Sequence, residues 1–208
     1  SSDVCSSDLK KFLMTKKNSL DYNDLISCAD GDMLAVFIDN QTNEASNSEK
    51  RKGPIPVESV KFTINHSSLK PSFMWVADEL VDASADETHC ITKYTYPTDH
   101  PFIKGHFPGN PIMMGIMQWL GIEDACLAYL QYLNKQGSYQ VSGNATLQKI
   151  DGTYVSDVKR FQVSGHVGLS DMADHAEIIA TQKISFRDFV NPGETLYIQL
   201  HDLSIQSL

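Results

Sequence analysis

MMGIMQWLGIEDACLAYLQYL, residues 113–133, decides how the rest of the chain is read. It is long enough for about five to six helical turns at 3.6 residues each and is apolar on nearly every face. A helix that is apolar all round has to be covered on every side. The sequence around it supplies the cover, because strand formers dominate residues 57–64, 73–81 and 89–96 before it. After Gly137 they return at 143–148, 158–168, 175–186 and 194–205, with the turn Asn191-Pro192-Gly193 ahead of the last. One long helix among about six to seven strands predicts an α+β domain, an antiparallel sheet wrapped around one central helix.

Composition bounds what such a domain can do. The chain has 208 residues, 17 Lys plus Arg against 26 Asp plus Glu, and a net charge of −9. No basic surplus is present to neutralise phosphates, so nucleic acid is not an expected partner. No apolar run reaches the roughly 18 residues of a membrane helix, so no membrane association and a cytoplasmic location are expected. The four cysteines lack C-x-x-C spacing and are too sparse for a disulfide framework, so reduced thiols are expected.

Residues 1–9, SSDVCSSDL, read as a non-native leader, since residues 3–9 resemble the translation of a common sequencing adapter. On that reading the natural N-terminus is missing and Cys5 is foreign. Residues 10–53 read as an N-terminal extension and polar linker. Within them Asp21 or Asn23 is placed to cap a short helix carrying Leu25, Ile26 and Ala29. The stretch 39–56, rich in Asn and Ser, has little to bury. The main domain is expected over residues 54–208.

The segment leading into the helix carries the chemistry. It reads His100-Pro-Phe-Ile-Lys-Gly105-His106-Phe107-Pro108-Gly109-Asn110-Pro111-Ile-Met-Met-Gly115. A histidine held in a Pro-Gly turn directly before a helix is a suitable base, because its unperturbed pKa lies near neutrality. The backbone N–H of Gly115, at the helix start, is one of the donors a helix leaves unpaired, and the helix dipole assists it.

These residues resemble the signature of the beta-hydroxyacyl carrier-protein dehydratases of the hot-dog fold, G-H-F-P-G-x-P followed by a helix-opening glycine. Gly105, His106, Phe107, Pro108, Gly109 and Pro111 agree without a gap. Residues 73–83, with the PFIKGHF that follows, and the C-terminal ISFRDFVNPGETLYIQL are also similar to family segments, so the resemblance spans residues 73–205. It implies dehydration of 3-hydroxyacyl thioesters, linked to acyl carrier protein or CoA, to trans-2-enoyl thioesters. His106 would be the base and the Gly115 amide the oxyanion donor. Phe107, Pro108 and Gly109, with Met117 and Trp119 along the helix, would line the acyl site, and no cofactor would be required. Non-catalytic acyl binding and thioester hydrolysis are the alternatives.

One position departs from the pattern. The family's acid lies fourteen residues after the histidine, and Leu120 stands there. By helical geometry Asp124 lies about 40° round and 6 Å along from Leu120, Glu123 about 60° the other way, and Gln118 about 200° away. Asp124 is the better-placed substitute of the three. In the family the histidine of one unit works with the acid of its neighbour, so a homodimer or pseudo-dimer with another hot-dog unit is the further expectation. The lead-in LDYNDLISCADGDMLAVF and the polar stretch after it resemble the joints of tandem dehydratase units in polyunsaturated fatty acid synthase type assemblies. That places the missing acid on an upstream unit.

Other clusters carry less. Asp171, Asp174 and His175 read as a solvated loop, with no metal expected. Lys159, Arg160, Lys183 and Arg187 form a candidate basic patch for an acidic carrier protein.

Overall fold

The computed structural model describes residues 12–15, 25–29, 51–66, 69–104, 111–168 and 173–208. The chain divides into two compact units, Ser1–Ser48 and Glu49–Leu208. In the first unit, β1 (Phe12–Thr15) pairs antiparallel with β2 (Leu25–Ala29). The short helix expected over Leu25, Ile26 and Ala29 is therefore a strand. A five-residue apolar run has no period long enough to separate helix from strand, and the partner strand settles the matter.

The second unit is α+β. Among the described residues its strands are β3 (Phe62–Thr63), β4 (Glu79–Ala83), β5 (Cys90–Thr95), β6 (Gly137–Lys149), β7 (Tyr154–Val167), β8 (His175–Ala180), β9 (Lys183–Phe186) and β10 (Thr195–Ser207). All pair antiparallel in one sheet of order β3-β4-β5-β10-β6-β7-β8, and β9 continues the β8 edge along β7. Among the described residues one α-helix, α1 (Gly115–Tyr132), packs on one face of this sheet. Among the described residues no helix is long and apolar enough to cross a membrane.

Several strand boundaries differ from the sequence expectation. The strand expected over 57–64 is reduced to Phe62–Thr63, although the N–H groups of Ser59 and Val60 both reach the Val81 carbonyl. The strand expected from Phe73 begins only at Glu79, because a 3-10 turn at Ser72–Met74 follows Pro71. The expected strand 175–186 is two strands, β8 and β9, broken where Gln182 donates its N–H to Lys159. Residues 51–54, read as polar linker, are tied to the sheet. Lys52 bridges Thr153, the Gly53 N–H donates to Gly152 at 2.9 Å, and Gln148 donates to the Pro54 carbonyl at 2.9 Å.

Helix α1 starts at Gly115 and ends in a Schellman-type cap. Asn134 takes a left-handed φ of 51°, its N–H bonds the Gln131 carbonyl and the Lys135 N–H bonds the Leu130 carbonyl. Two glycines let the helix lie close on the sheet. A Cβ at Gly121 would stand 2.7 Å from Ile198 Cδ1 and 3.2 Å from Val76 Cγ1, and one at Gly115 2.8 Å from Phe186 Cζ. Ile198 and Val76 are fully buried, so Gly121 has little room to give. Gly121→Val is expected to destabilise the domain by about 1–3 kcal/mol through overpacking. Chemical denaturation should show a lowered midpoint with an unchanged slope.

Candidate functional site

His106, Phe107, Pro108 and Gly109 fall within 105–110, outside the described residues. The two flanks of that segment are pinned. Upstream, buried His100 accepts the Phe102 N–H on Nδ1 at 3.2 Å, which leaves Nε2–H to donate to the Phe73 carbonyl at 2.8 Å. Its ring sits among Phe73, Tyr96 and Phe102, with centroids 5.1–6.0 Å away. A 3-10 turn, Pro101–Lys104, follows. Downstream, the Met113 N–H donates to Val190 at 2.8 Å, and one residue later Met114 precedes α1 with its carbonyl accepting the Met117 N–H at 2.9 Å. Gly115 is the first helical residue, two residues inside the start expected from the apolar run, with its bare Cα facing the Phe186 ring.

Met117 is fully buried in the core, and Trp119 is half-buried with its indole Nε1 inside and unpartnered among the described residues. Gln118, set aside as an acid, turns out to face the sheet. It lies about 60° from both Gly115 and Gly121, the two helix positions that touch Phe186 and Ile198. Beneath it, Phe186, Ser156, Leu147 and Ile198 are successive cross-strand partners. Gln118 Oε1 and Ser156 Oγ are both buried and lack hydrogen-bond partners among the described residues. A lone amide on an otherwise apolar helix face was the available sequence signal for this pair.

Asp124 does not hang free. It is almost wholly buried, one carboxylate oxygen pairs with the Lys70 ammonium, and the other accepts the Val76 N–H at 2.6 Å. Lys70 Nζ stands 4.2 Å from the centroid of the Trp75 ring, and His66 stacks on that ring at 4.5 Å while bonding the Ala77 carbonyl through Nε2 at 3.0 Å. Burial pushes the Asp124 carboxyl up to about 6, against the opposing pull of Lys70 and the Val76 N–H. Glu123, on the other side of the helix, accepts the Ile178 N–H at 3.0 Å, and burial raises its pKa as well. Both carboxylates of the adjacent pair are thus tied to neighbouring chain segments. Leu120 lies on the helix side turned away from the sheet and is only half-buried. Two adjacent carboxylates on an apolar helix call for a solvated rim or an Arg or Lys partner, and for Asp124 that partner is Lys70, 54 residues away.

Of the four residues in the expected basic patch, Lys159 and Lys183 are direct cross-strand partners, Arg160 is exposed, and Arg187 is paired with Asp157. Asp174 is committed to the Gly168 N–H and the Gln131 amide, and Asp171 lies outside the described residues. No protein-family model matches the chain, and no curated protein matches it at a significant level.

Removing Lys70 leaves a buried charge uncompensated, so Lys70→Met should destabilise the domain by about 3–5 kcal/mol. Asp124 has a second consequence for pH. Its folded pKa lies above the ordinary 3.8, so the folded state binds the proton first. Its contribution to stability therefore grows as pH falls from about 6 to 4. Asp124→Asn keeps an acceptor for Val76 but removes this slope, and urea titrations of both proteins across that range should diverge accordingly.

Proposed function

We propose that residues 49–208 form a hot-dog domain that acts on 3-hydroxyacyl thioesters carried by acyl carrier protein or CoA, eliminating water to give trans-2-enoyl thioesters. The observation that carries the reading is the ungapped Gly105-His106-Phe107-Pro108-Gly109-x-Pro111 segment running into a buried helix that opens at Gly115. The antiparallel sheet with one helix on its face is compatible with that fold. In this reading His106 removes the α-proton, and the Gly115 N–H with the helix dipole stabilises negative charge on the thioester oxygen.

The acid is the incomplete part. Asp124 has both oxygens engaged by Lys70 and Val76, and Glu123 holds the Ile178 N–H, which favours an acid supplied by a paired hot-dog unit. Leu120, half-buried on the helix side away from the sheet, stands where such a pair would place its own acid. The same observations favour a second reading, a unit that binds acyl groups and serves as the partner of a catalytic neighbour without turning over substrate itself.

Hydration of a short trans-2-enoyl thioester, followed by loss of the conjugated absorbance, separates these readings. The wild-type chain alone is expected to be slow. Leu120→Glu should raise the rate by about 10²-fold or more, and His106→Ala in that background should abolish the gain. A fast wild-type enzyme silenced by Asp124→Asn would instead make Asp124 the acid. Acyl thioester binding without turnover in any variant would leave the binding unit, and release of free thiol would identify a thioesterase.

A further inference from the structure

Val158 and Phe161 of β7 stand three positions apart, and in a regular strand they would point to opposite faces. Both are buried in the core, and the two residues between them, Lys159 and Arg160, are exposed. The register gives the reason. Ala145 partners Val158 and Gly143 partners Phe161, so Lys159 and Arg160 together oppose the single Asn144 of β6, a β-bulge. Arg160 takes a left-handed φ of 50° there, and its N–H donates to Asn144 Oδ1 at 3.1 Å. A residue with a Cβ is locally unfavourable in that conformation, and such positions cluster at ligand sites.

The bulge gathers positive charge in a chain that carries −9. Lys159 lies directly opposite Lys183 of β9, a like-charge placement that is itself unfavourable. Among the described residues neither of these ammonium groups, nor the Arg160 guanidinium, has a carboxylate within ion-pair distance. Neighbouring acids are engaged elsewhere. Asp157 pairs with Arg187, and Asp202 Oδ2 accepts the Asn144 amide at 2.8 Å and lies 3.0 Å from His201 Nδ1, with Lys159 adding a longer-range attraction. Beside Arg160 is a shallow recess of about 300 Å³, lined also by Ser142, Asn144, Gln162 and Asp202. Ser142 and Gln162 are cross-strand partners, and neither side chain has a hydrogen-bond partner among the described residues. A hydroxyl, a primary amide and a guanidinium fork therefore border one recess.

We propose that this recess binds the phosphate monoester of a soluble small molecule, with the Arg160 fork on two phosphate oxygens, Ser142 and Gln162 donating to the dianion, and Lys159 and Lys183 supplying charge. A guanidinium matches phosphate geometry bidentately, while a lysine acts as a point charge. The exposed rim, Arg160, Gln162 and Asp202, is polar and offers nothing to an acyl chain, which favours a soluble ligand over a lipid headgroup. The site is separate from the thioester site and does not depend on that reading.

Titration of the full chain with phenyl phosphate at low salt, followed by backbone amide shifts, tests it. Saturation at one ligand per chain is expected, with the largest shifts at residues 142–144 and 159–162. Arg160→Gln should weaken binding more than about tenfold, and Arg160→Lys and Lys183→Gln about threefold each. Asp202→Asn, which removes the opposing charge, should tighten it about threefold. Raising NaCl to about 0.2 M should weaken the wild type several-fold. Arg160→Gly suits the left-handed backbone, so it should lose binding while keeping the melting temperature, which separates the site from the fold. Vesicles containing phosphatidate, the same phosphate chemistry on a lipid, should not retain the chain. Failure to saturate with phenyl phosphate, equal binding by Arg160→Gln, or binding to the vesicles alone would each overturn the proposal.

Discussion

The close seating of helix α1 on the sheet is the contact from which the rest of this domain follows. Gly121 allows the helix backbone to approach Ile198 and Val76 to a distance that no side chain there would permit. Gly115 does the same toward Phe186 at the helix start. With the axis that near the sheet, Asp124 reaches the Val76 N–H and Gln118 is buried. Leu120 is left on the opposite side. In the function proposed above, the glycine that opens the helix is also the oxyanion donor.

Burying a carboxylate beside this contact is unfavourable unless it is paired and hydrogen-bonded. The chain meets that requirement from residues 69–77. Lys70 supplies the charge and Val76 the N–H, while Gln131 near the far end of the helix exchanges two hydrogen bonds with the Asn65 backbone. Trp75, between His66 and Lys70, gives that segment a rigid centre. A carboxylate so engaged fastens that segment to the helix, with both of its oxygens already taken.

Much of the architecture was legible in the residues. The run 113–133 announced α1 to within two residues at its start and one at its end, because eighteen helical residues with apolar side chains on most faces admit few other solutions. Alternation and turn signals placed β5, β6, β7 and β10. The expectation failed where short apolar runs had to choose partners: Leu25–Ala29 became a strand, 57–64 shrank to two residues of strand, and 175–186 split at residues 181–182. Periodicity over five or six residues does not discriminate, and hydrogen bonds to distant strands do.

By itself the sequence determined the class of the domain, the position of its helix, and the histidine segment whose residue types carry the candidate chemistry, since these depend on local periodicity and contiguous spacing. Only the tertiary structure decided that Asp124 is claimed by Lys70 and Val76, that Gln118 is buried, and that His166 stacks on His175. Each of these pairs joins residues separated along the chain. Their meeting is set by strand register and by the height of the helix above the sheet, quantities that no local pattern of side chains encodes.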